Sequence, residues 1–348
     1  MTDSALLEVC PICLGGPVLQ RGESRSEGPH SVATVVWQGE DMQAKDLLRY
    51  IKTTEKMVVP AKVASTTQGS AMLRKLPLRL QRYIVNRGAR TNPYMSFVVE
   101  PYSVFLSFEV IDIEAAERLL PPNYSLFPSA MFSDTPKRPC AIIGAFNAHT
   151  SVFWGSRVEF YLIAENCKTG LLSWIINEYE SNTHSYDPSQ GFIGPSTSHS
   201  VVTTSYLGEI IVDVASAKSH NSLTLLADLK NGVLRELDQR LWVEGNLSVD
   251  YGGELQGCTK PFSLVFDPKE MAQALKLPLD DISLCTNTFG AGILDPMPFE
   301  AACFPYAQHF VTTSLPTATS MRTAEDLEQA VTEINEKMNA AQETDCKE

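Results

Sequence analysis

From Ser103 onward the chain alternates apolar stretches of strand length with short polar breaks. "SVFLSFEVI" (Ser103–Ile111) is rich in aromatic and β-branched residues and reads as a strand. "DIEAAERLLPP" follows as a short helix with Ile113, Ala116, Leu119 and Leu120 inward, stopped by Pro121 and Pro122. "CAIIGAFNAHT", "RVEFYLIAEN" and "GLLSWIINEYE" are three more strands, the last two joined by "NCKTG" (Asn166–Gly170), which has the glycine and length of a hairpin turn. Further strands are expected at "SVVTTSYLG", "EIIVDVASAK", "SLTLLADLK", "RLWVEGNLSVD", "PFSLVFD" and "ISLCTNTFG", with a helix at "DPKEMAQALKL". Most connections are too short for a crossover helix, so the sheet should be largely antiparallel. With so many strands, curling closed removes the edges. The fold class is therefore α+β: a largely antiparallel curled sheet forming a cone or barrel with flanking helices.

Around this body the pattern divides the chain into segments. Residues 1–40 are rich in Gly, Ser, Pro and charge and read as weakly ordered. Residues 41–92 form a basic helical arm. There "DMQAKDLLRYIKTTEKM" puts Leu47, Leu48 and Ile51 on one face, and "SAMLRKLPLRLQRYIVNRG" is interrupted by Pro77, with Gly88 as its natural end. The body spans 93–315. A tail, 316–348, carries an amphipathic helix, capped by Thr323 with Asp326, whose stripe is Leu327, Val331, Ile334 and Met338. That stripe docks on the body or joins two copies; self-association is expected.

Composition and charge narrow the function classes. The 348 residues are 44% hydrophobic and 20% charged, with no apolar run of membrane-spanning length. "MTDSALLEVCPICLGG" lacks a basic start and a long apolar core, so a cytoplasmic location without membrane attachment is expected. The net charge of −13 is uneven: between Lys45 and Arg90 eleven Lys and Arg face two acids, a local +9, which leaves −22 on the rest. Such an arm packs on an acidic surface or contacts a polyanion. It has few aromatics and no nucleic-acid motif, so no nucleic-acid partner is expected. Of eight cysteines only Cys10 and Cys13 are closely spaced, and no second pair follows, so no metal and no cofactor are expected.

The order of elements resembles a known family. "VFLSFEVIDIEAAERLLPPNYSLFP" is similar to the opening of the acetoacetate decarboxylase-like superfamily, and "VEFYLIAENCKTGLLSWIINEYESN" to its central hairpin. "YLGEIIVDVASAKSH" and "PFSLVFDPKEMAQALKLPLDDISLCTNTFGAGILD" fit its later strands, so that the resemblance covers roughly residues 93–296. It implies a lysine just past the hairpin whose amine, its pKa lowered by a second lysine, forms a Schiff base with a β-keto acid. Here that place falls at His184 and Ser185, and no lysine occurs from Thr169 to Ala217. The family's arginine falls near Tyr102, and its acidic positions near Trp154–Ser156 and Ile142. The resemblance thus implies the fold without the amine chemistry.

Strand parity offers other chemistry. In "RVEFYLIAEN" one face carries Arg157, Glu159, Tyr161 and Ile163, and the other Val158, Phe160 and Leu162. With the first face inward, Glu159, Tyr161, Glu178 and His184 form a candidate catalytic set. Arg157, His149, Trp154 and Tyr102 are candidate substrate contacts. A carboxylate in an apolar cavity suits general acid–base work, a tyrosine can hold an enolate oxygen, and an arginine can clamp a carboxylate. With the parity reversed, Arg157 and Glu159 are a surface ion pair. Whatever the parity, the alternative for Glu178 is a hydrogen bond to backbone amides at the loop, and for His184 a solvated loop position. Lys218 and Lys260 are candidate displaced amines. Three readings follow. The first is a lysine-independent lyase-type enzyme performing enolisation, aldol, dehydration or decarboxylation chemistry on a small keto acid or polyketide-like substrate of secondary metabolism. The second is a non-catalytic small-molecule binder using the same cavity. The third is a polyanion-binding arm.

Overall fold

The computed structural model describes residues 51–52, 54, 60–91, 94–150, 154–187, 190–251, 261–313 and 321–345. Segment 1–40 with Cys10 and Cys13, all but three residues of the helix expected at Asp41–Met57, and Lys260 lie outside them. Strands β1 (Tyr94–Val99), β2 (Ser103–Val110), β3 (Tyr124–Leu126), β4 (Cys140–Thr150), β5 (Trp154–Asn166) and β6 (Leu172–Ser181) come first. Next are β7 (Ser185–Asp187), β8 (Gly191–Ile193), β9 (His199–Thr204), β10 (Glu209–Ala215), β11 (Ser222–Asp228) and β12 (Val233–Glu236). The last are β13 (Leu247–Asp250), β14 (Phe262–Ser263), β15 (Gln273–Lys276), β16 (Ile282–Asn287), β17 (Leu294–Phe304) and β18 (Gln308–Thr313). The helices are α1 (Pro60–Leu73), α2 (Leu78–Thr91), α3 (Ile113–Glu117) and α4 (Ala324–Asp345).

The architecture is the expected curled, largely antiparallel sheet. One sheet of twelve strands runs β12-β15-β17-β2-β4-β5-β6-β13-β14, with β1, β3 and β18 attached at its sides. All its recorded pairs are antiparallel except β6 with β13. β4 is long enough to pair with β2 along its first half and with β1 at its end. β1 pairs in turn with β18, and Val311 of β18 exchanges two backbone hydrogen bonds, each 2.8 Å, with Val265 just beyond β14. The sequence of pairs β1-β4-β5-β6-β13-β14-β18 thereby returns to its start as a ring.

Two cores follow from strand parity. Phe105, Phe146, Tyr161, Trp174, Trp242 and Phe304 share the inner core. On the opposite face Val158, Phe160, Leu162 and Ile175 pack with Ile210, Val212, Leu223 and Leu225. These last belong to a second sheet, ordered β16-β11-β10-β9. Both faces of β5 are apolar-lined and buried, which explains its near-continuous hydrophobic run.

Several expected elements take a different form. "RLWVEGNLSVD" splits into a π-helical turn, Arg240–Glu244, and β13. Asp238 caps that turn by accepting from Leu241 N at 3.0 Å, and the Trp242 indole donates to Met131 O at 3.0 Å. The helix expected at "DPKEMAQALKL" is only a 3-10 turn, Pro268–Met271, capped by Asp267, after which β15 pairs with β17. Pro77 opens α2, because its carbonyl accepts from Leu80 and Gln81, and α2 runs through Gly88 instead of ending there. Gln81 fixes the arm to the β7–β8 hairpin by accepting from Phe192 N at 2.9 Å. The α4 capping box forms as read, with Asp326 and Thr323 bonded reciprocally. Leu327, Val331 and Ile334 dock into the inner core; the Met338 side chain lies outside the description. Among the described residues no helix is long and apolar enough to cross a membrane.

Candidate functional site

Regular alternation along β5 sends Arg157, Glu159 and Tyr161 to the inner face. They are 8%, 6% and 7% exposed, so the surface-pair alternative does not hold. Arg157 Nε donates to Glu159 Oε1, and the Tyr161 hydroxyl donates to Glu159 Oε2. The guanidinium also lies 4.5 Å from the centroid of the Tyr179 ring, a cation–π contact. Tyr179 stands opposite Glu159 on β6, and Gly144 stands opposite it on β4. A side chain at Gly144 would place its Cβ 2.6 Å from the Phe105 ring and 3.4 Å from Tyr161. Glycine here is what lets both rings lie across the sheet.

Tyr161 opens onto a cavity of about 100 Å³ inside the strand ring. Every strand of the ring contributes to its wall directly or through an adjoining residue, including Val99, Phe146, Trp174, Ser248, Leu264 and Phe310. Aromatic rings meet edge to face: Tyr161 and Trp174 at 5.1 Å and 90°, Phe105 and Trp242 at 5.4 Å and 89°. Such contacts add roughly 0.5–1.5 kcal/mol each beyond burial and hold the wall in one shape. Polar atoms come from Tyr161, Asn246, Ser248 and Gln308. No lysine, arginine or histidine lines the cavity among the described residues.

The electrostatics favour one protonation pattern. Burial drives the Tyr161 phenol well above its ordinary pKa, and the Glu159 charge pushes the same way, so it stays protonated. Burial disfavours the Arg157 charge, but Glu159, Tyr179 and Asp250 outweigh it and its pKa is raised. A buried carboxylate is thus held between a permanent cation and a neutral phenol.

The other expected site residues lie elsewhere. A β-bulge at Asn177 breaks the parity of β6: Tyr161 faces Ile176, but Phe160 faces Glu178. Glu178 therefore points to the outer core, where it accepts from Gly290 N at 3.4 Å. His184 is half-buried, with neither ring nitrogen hydrogen-bonded among the described residues. Burial, with the Arg74 charge, lowers its pKa. His149 bonds Glu100 and stacks on Trp154 at 4.5 Å. Both sit at the far end of the β4–β5 hairpin, on the face away from Tyr161 by register, with Trp154 largely exposed. Tyr102 is an exposed turn residue with a φ of 69°. Lys218 is exposed in the turn after β10. The structure thus brings together Arg157, Glu159 and Tyr161, and leaves Glu178, His184, His149, Trp154 and Tyr102 apart from them.

Sequence reasoning missed Trp242, Asn246 and Gln308. All three reach the cavity from segments more than 80 residues beyond Tyr161, which no local spacing connects. Gln308 alone had a legible signal, since Gln308 and Phe310 alternate with His309 on one strand.

No family model and no curated protein matches the chain. Among solved structures the chain is similar to acetoacetate decarboxylase from Legionella pneumophila, with 10% identity, 64% of this chain and 87% of that one covered, and a TM-score of 0.41. It is also similar to an acetoacetate decarboxylase-like enzyme from Sphingomonas wittichii, with 9% identity, 67% and 94% covered, and a TM-score of 0.39. A third likeness is to the enduracididine biosynthesis enzyme MppR, with 11% identity, 64% and 86% covered, and a TM-score of 0.37. These likenesses concern the course of the chain and carry nothing about its chemistry. The first two carry acetoacetate decarboxylase in their names.

Proposed function

We propose that the strand-ring cavity is the active site of an acid–base, lyase-type enzyme acting on a small carbonyl compound. One observation carries this reading: a buried Arg157–Glu159–Tyr161 chain ends on an aromatic cavity. Buried polar chains are costly to maintain, and perturbed groups beside a cavity mark functional sites more often than elsewhere. Tyr161 is the reacting group. Its oxygen takes a proton from a substrate C–H next to the carbonyl while its own hydrogen passes to Glu159 Oε2, and the electron pair of that C–H bond, delocalised onto the carbonyl oxygen, becomes an enolate. Arg157 is a positioning residue that orients Glu159. It is already committed to that carboxylate, so the expected clamp on a substrate carboxylate is replaced here by a preference for uncharged ketones.

A second reading, a non-catalytic binder, draws on the fact that both Glu159 oxygens are already engaged. Deuterium uptake at the α-carbons of butanone, hydroxyacetone, acetoin and pyruvate, followed by NMR in D2O, separates the two. The enzyme reading expects uptake faster than buffer for at least one ketone, falling on the order of 100-fold in Tyr161→Phe. Saturable binding with uptake at the buffer rate throughout would leave the binder.

A further inference from the structure

Ser248 lies on β13, is 7% exposed, and lines the cavity. Its neighbours fix the direction of its side chain. Val249 belongs to the outer core, while Asp250, two residues on, interacts with the Arg157 charge, so Ser248 and Asp250 share the inner face. In register Ser248 stands beside Trp174 of β6, whose ring meets Tyr161 edge to face at 5.1 Å. Tyr161 on β5 and Ser248 on β13 thus reach the cavity from the two sides of β6.

Every other polar side chain of the wall makes a hydrogen bond within the protein. Tyr161 donates to Glu159, the Trp174 indole to Leu241 O at 3.3 Å, and the Trp242 indole to Met131 O at 3.0 Å. Asn246 Nδ2 donates to Val243 O and Met321 O. Gln308 accepts from Ser103 at 3.3 Å and donates to Met271 Sδ at 3.2 Å. Ser248 Oγ makes no such bond among the described residues and, unlike the sealed carbonyl oxygen of Asn246, keeps open surface. A hydroxyl without a partner among the Phe105, Trp174 and Trp242 rings is costly, and a ligand oxygen that accepts from it offsets that cost.

We infer that Ser248 is the residue that binds the ligand's carbonyl oxygen, its hydroxyl donating to the ketone and to the enolate formed from it. The inference rests on the cavity being the ligand site, and it gives the enolate a donor other than Tyr161. That division of labour follows from the hydrogens. Tyr161 directs its own at Glu159 and offers the cavity a lone pair, which suits removal of a proton. Ser248 has a hydrogen left to donate. The neutral ketone gains one ordinary hydrogen bond from it, and the charged enolate a stronger one.

The test pairs butanone with its methylidene analogue, in which a CH2 group replaces the carbonyl oxygen. Dissociation constants come from tryptophan fluorescence, because Trp174 and Trp242 line the cavity. Ser248→Ala removes only the hydroxyl. It should weaken butanone about three- to tenfold and leave the alkene unchanged or tighter. Deuterium uptake at saturating ketone should fall by a further factor of about ten, because the bond strengthens as charge develops. Infrared spectroscopy of isotope-labelled butanone reads the bond directly: the bound carbonyl stretch should lie below its value in hexane, and move back towards it in Ser248→Ala. An equal effect of the substitution on both molecules, the same stretch in both proteins, or no saturable binding of butanone overturns the inference. Should Ser248→Ala fail to fold, a wild-type stretch at the hexane value overturns it and a lower one supports it. Selective weakening of butanone in the variant, without uptake by the wild type, removes the enzyme reading only. Uptake by the wild type, with butanone binding unchanged in Ser248→Ala, removes this inference only.

Discussion

Arg157 and Tyr161, four residues apart on one face of β5, bind opposite oxygens of the single carboxylate of Glu159 between them. The carboxylate is neutralised from one side and hydrogen-bonded from the other, so neither neighbour can be removed alone without exposing a buried charge or donor. Arg157→Met is therefore expected to destabilise the fold by about 3–5 kcal/mol. The triple variant Arg157→Met/Glu159→Leu/Tyr161→Phe, which removes the three-residue chain but leaves Asp250 without the Arg157 charge, should recover part of that loss. Urea denaturation of the variants measures this. A triple variant less stable than Arg157→Met would show that the three groups stabilise the fold beyond satisfying one another.

Gly144 stands opposite Glu159 and beneath the Phe105 ring. Adding one methyl there forces Phe105 from its place against Trp242 and Phe304. Overpacking of this kind typically costs about 1–3 kcal/mol. Gly144→Ala should lower the thermal midpoint and weaken ketone binding together, because the displaced ring lines the cavity. A variant with wild-type stability and binding would mean that the wall yields more easily than its packing implies.

The contrast between β5 and β6 shows what was legible. Thirteen residues of regular alternation in β5 revealed which face Arg157, Glu159 and Tyr161 share, because no bulge interrupts the strand between them. In β6 regular alternation would put Glu178 on one face with Trp174 and Ile176, but one inserted residue, Asn177, reverses its side. Asn177 donates to Leu119 O at 2.8 Å, a contact 58 residues away that nothing local announces. The tail helix was readable from its capping box and apolar stripe. Trp242 and Asn246 were not, because a π-helical turn carries no distinct periodicity and their neighbours come from distant strands.

Glu178, displaced to the outer core, titrates in a predictable direction. Burial raises its pKa above 4.5 and Glu180 adds to this, while Gly290 and Asn221 offset part of it. A carboxyl whose folded-state pKa is raised binds its proton more tightly folded than unfolded. Its contribution is complete below about pH 4.5 and is lost as pH rises through the folded-state value. Glu178→Gln cannot lose it. The stability of the variant relative to the wild type should therefore rise with pH above 4.5 and then level off. Parallel pH–stability curves would place Glu178 in contact with solvent instead.

The ring itself depends on a short closure. Val265 and Val311 exchange two hydrogen bonds of 2.8 Å, both side chains are buried, and no other bridge of residues 261–267 to β18 is recorded. β12, at the edge of the same sheet, has four exposed residues and one neighbour. The Val265 and Val311 amides open only when β18 separates from the segment after β14, an event that also uncovers Phe266 and Phe310. Their exchange with solvent deuterium should then be slower than that of the β12 amides by at least about tenfold, since opening exposes two large buried rings at roughly 1.5–3 kcal/mol each. Amide-resolved hydrogen exchange measures it. A ligand held in the cavity should slow Val265 and Val311 further and leave β12 unchanged, because only the first pair closes the wall. Equal rates at the two places would mean that the ring opens freely, and that ligands enter between β18 and the segment just after β14.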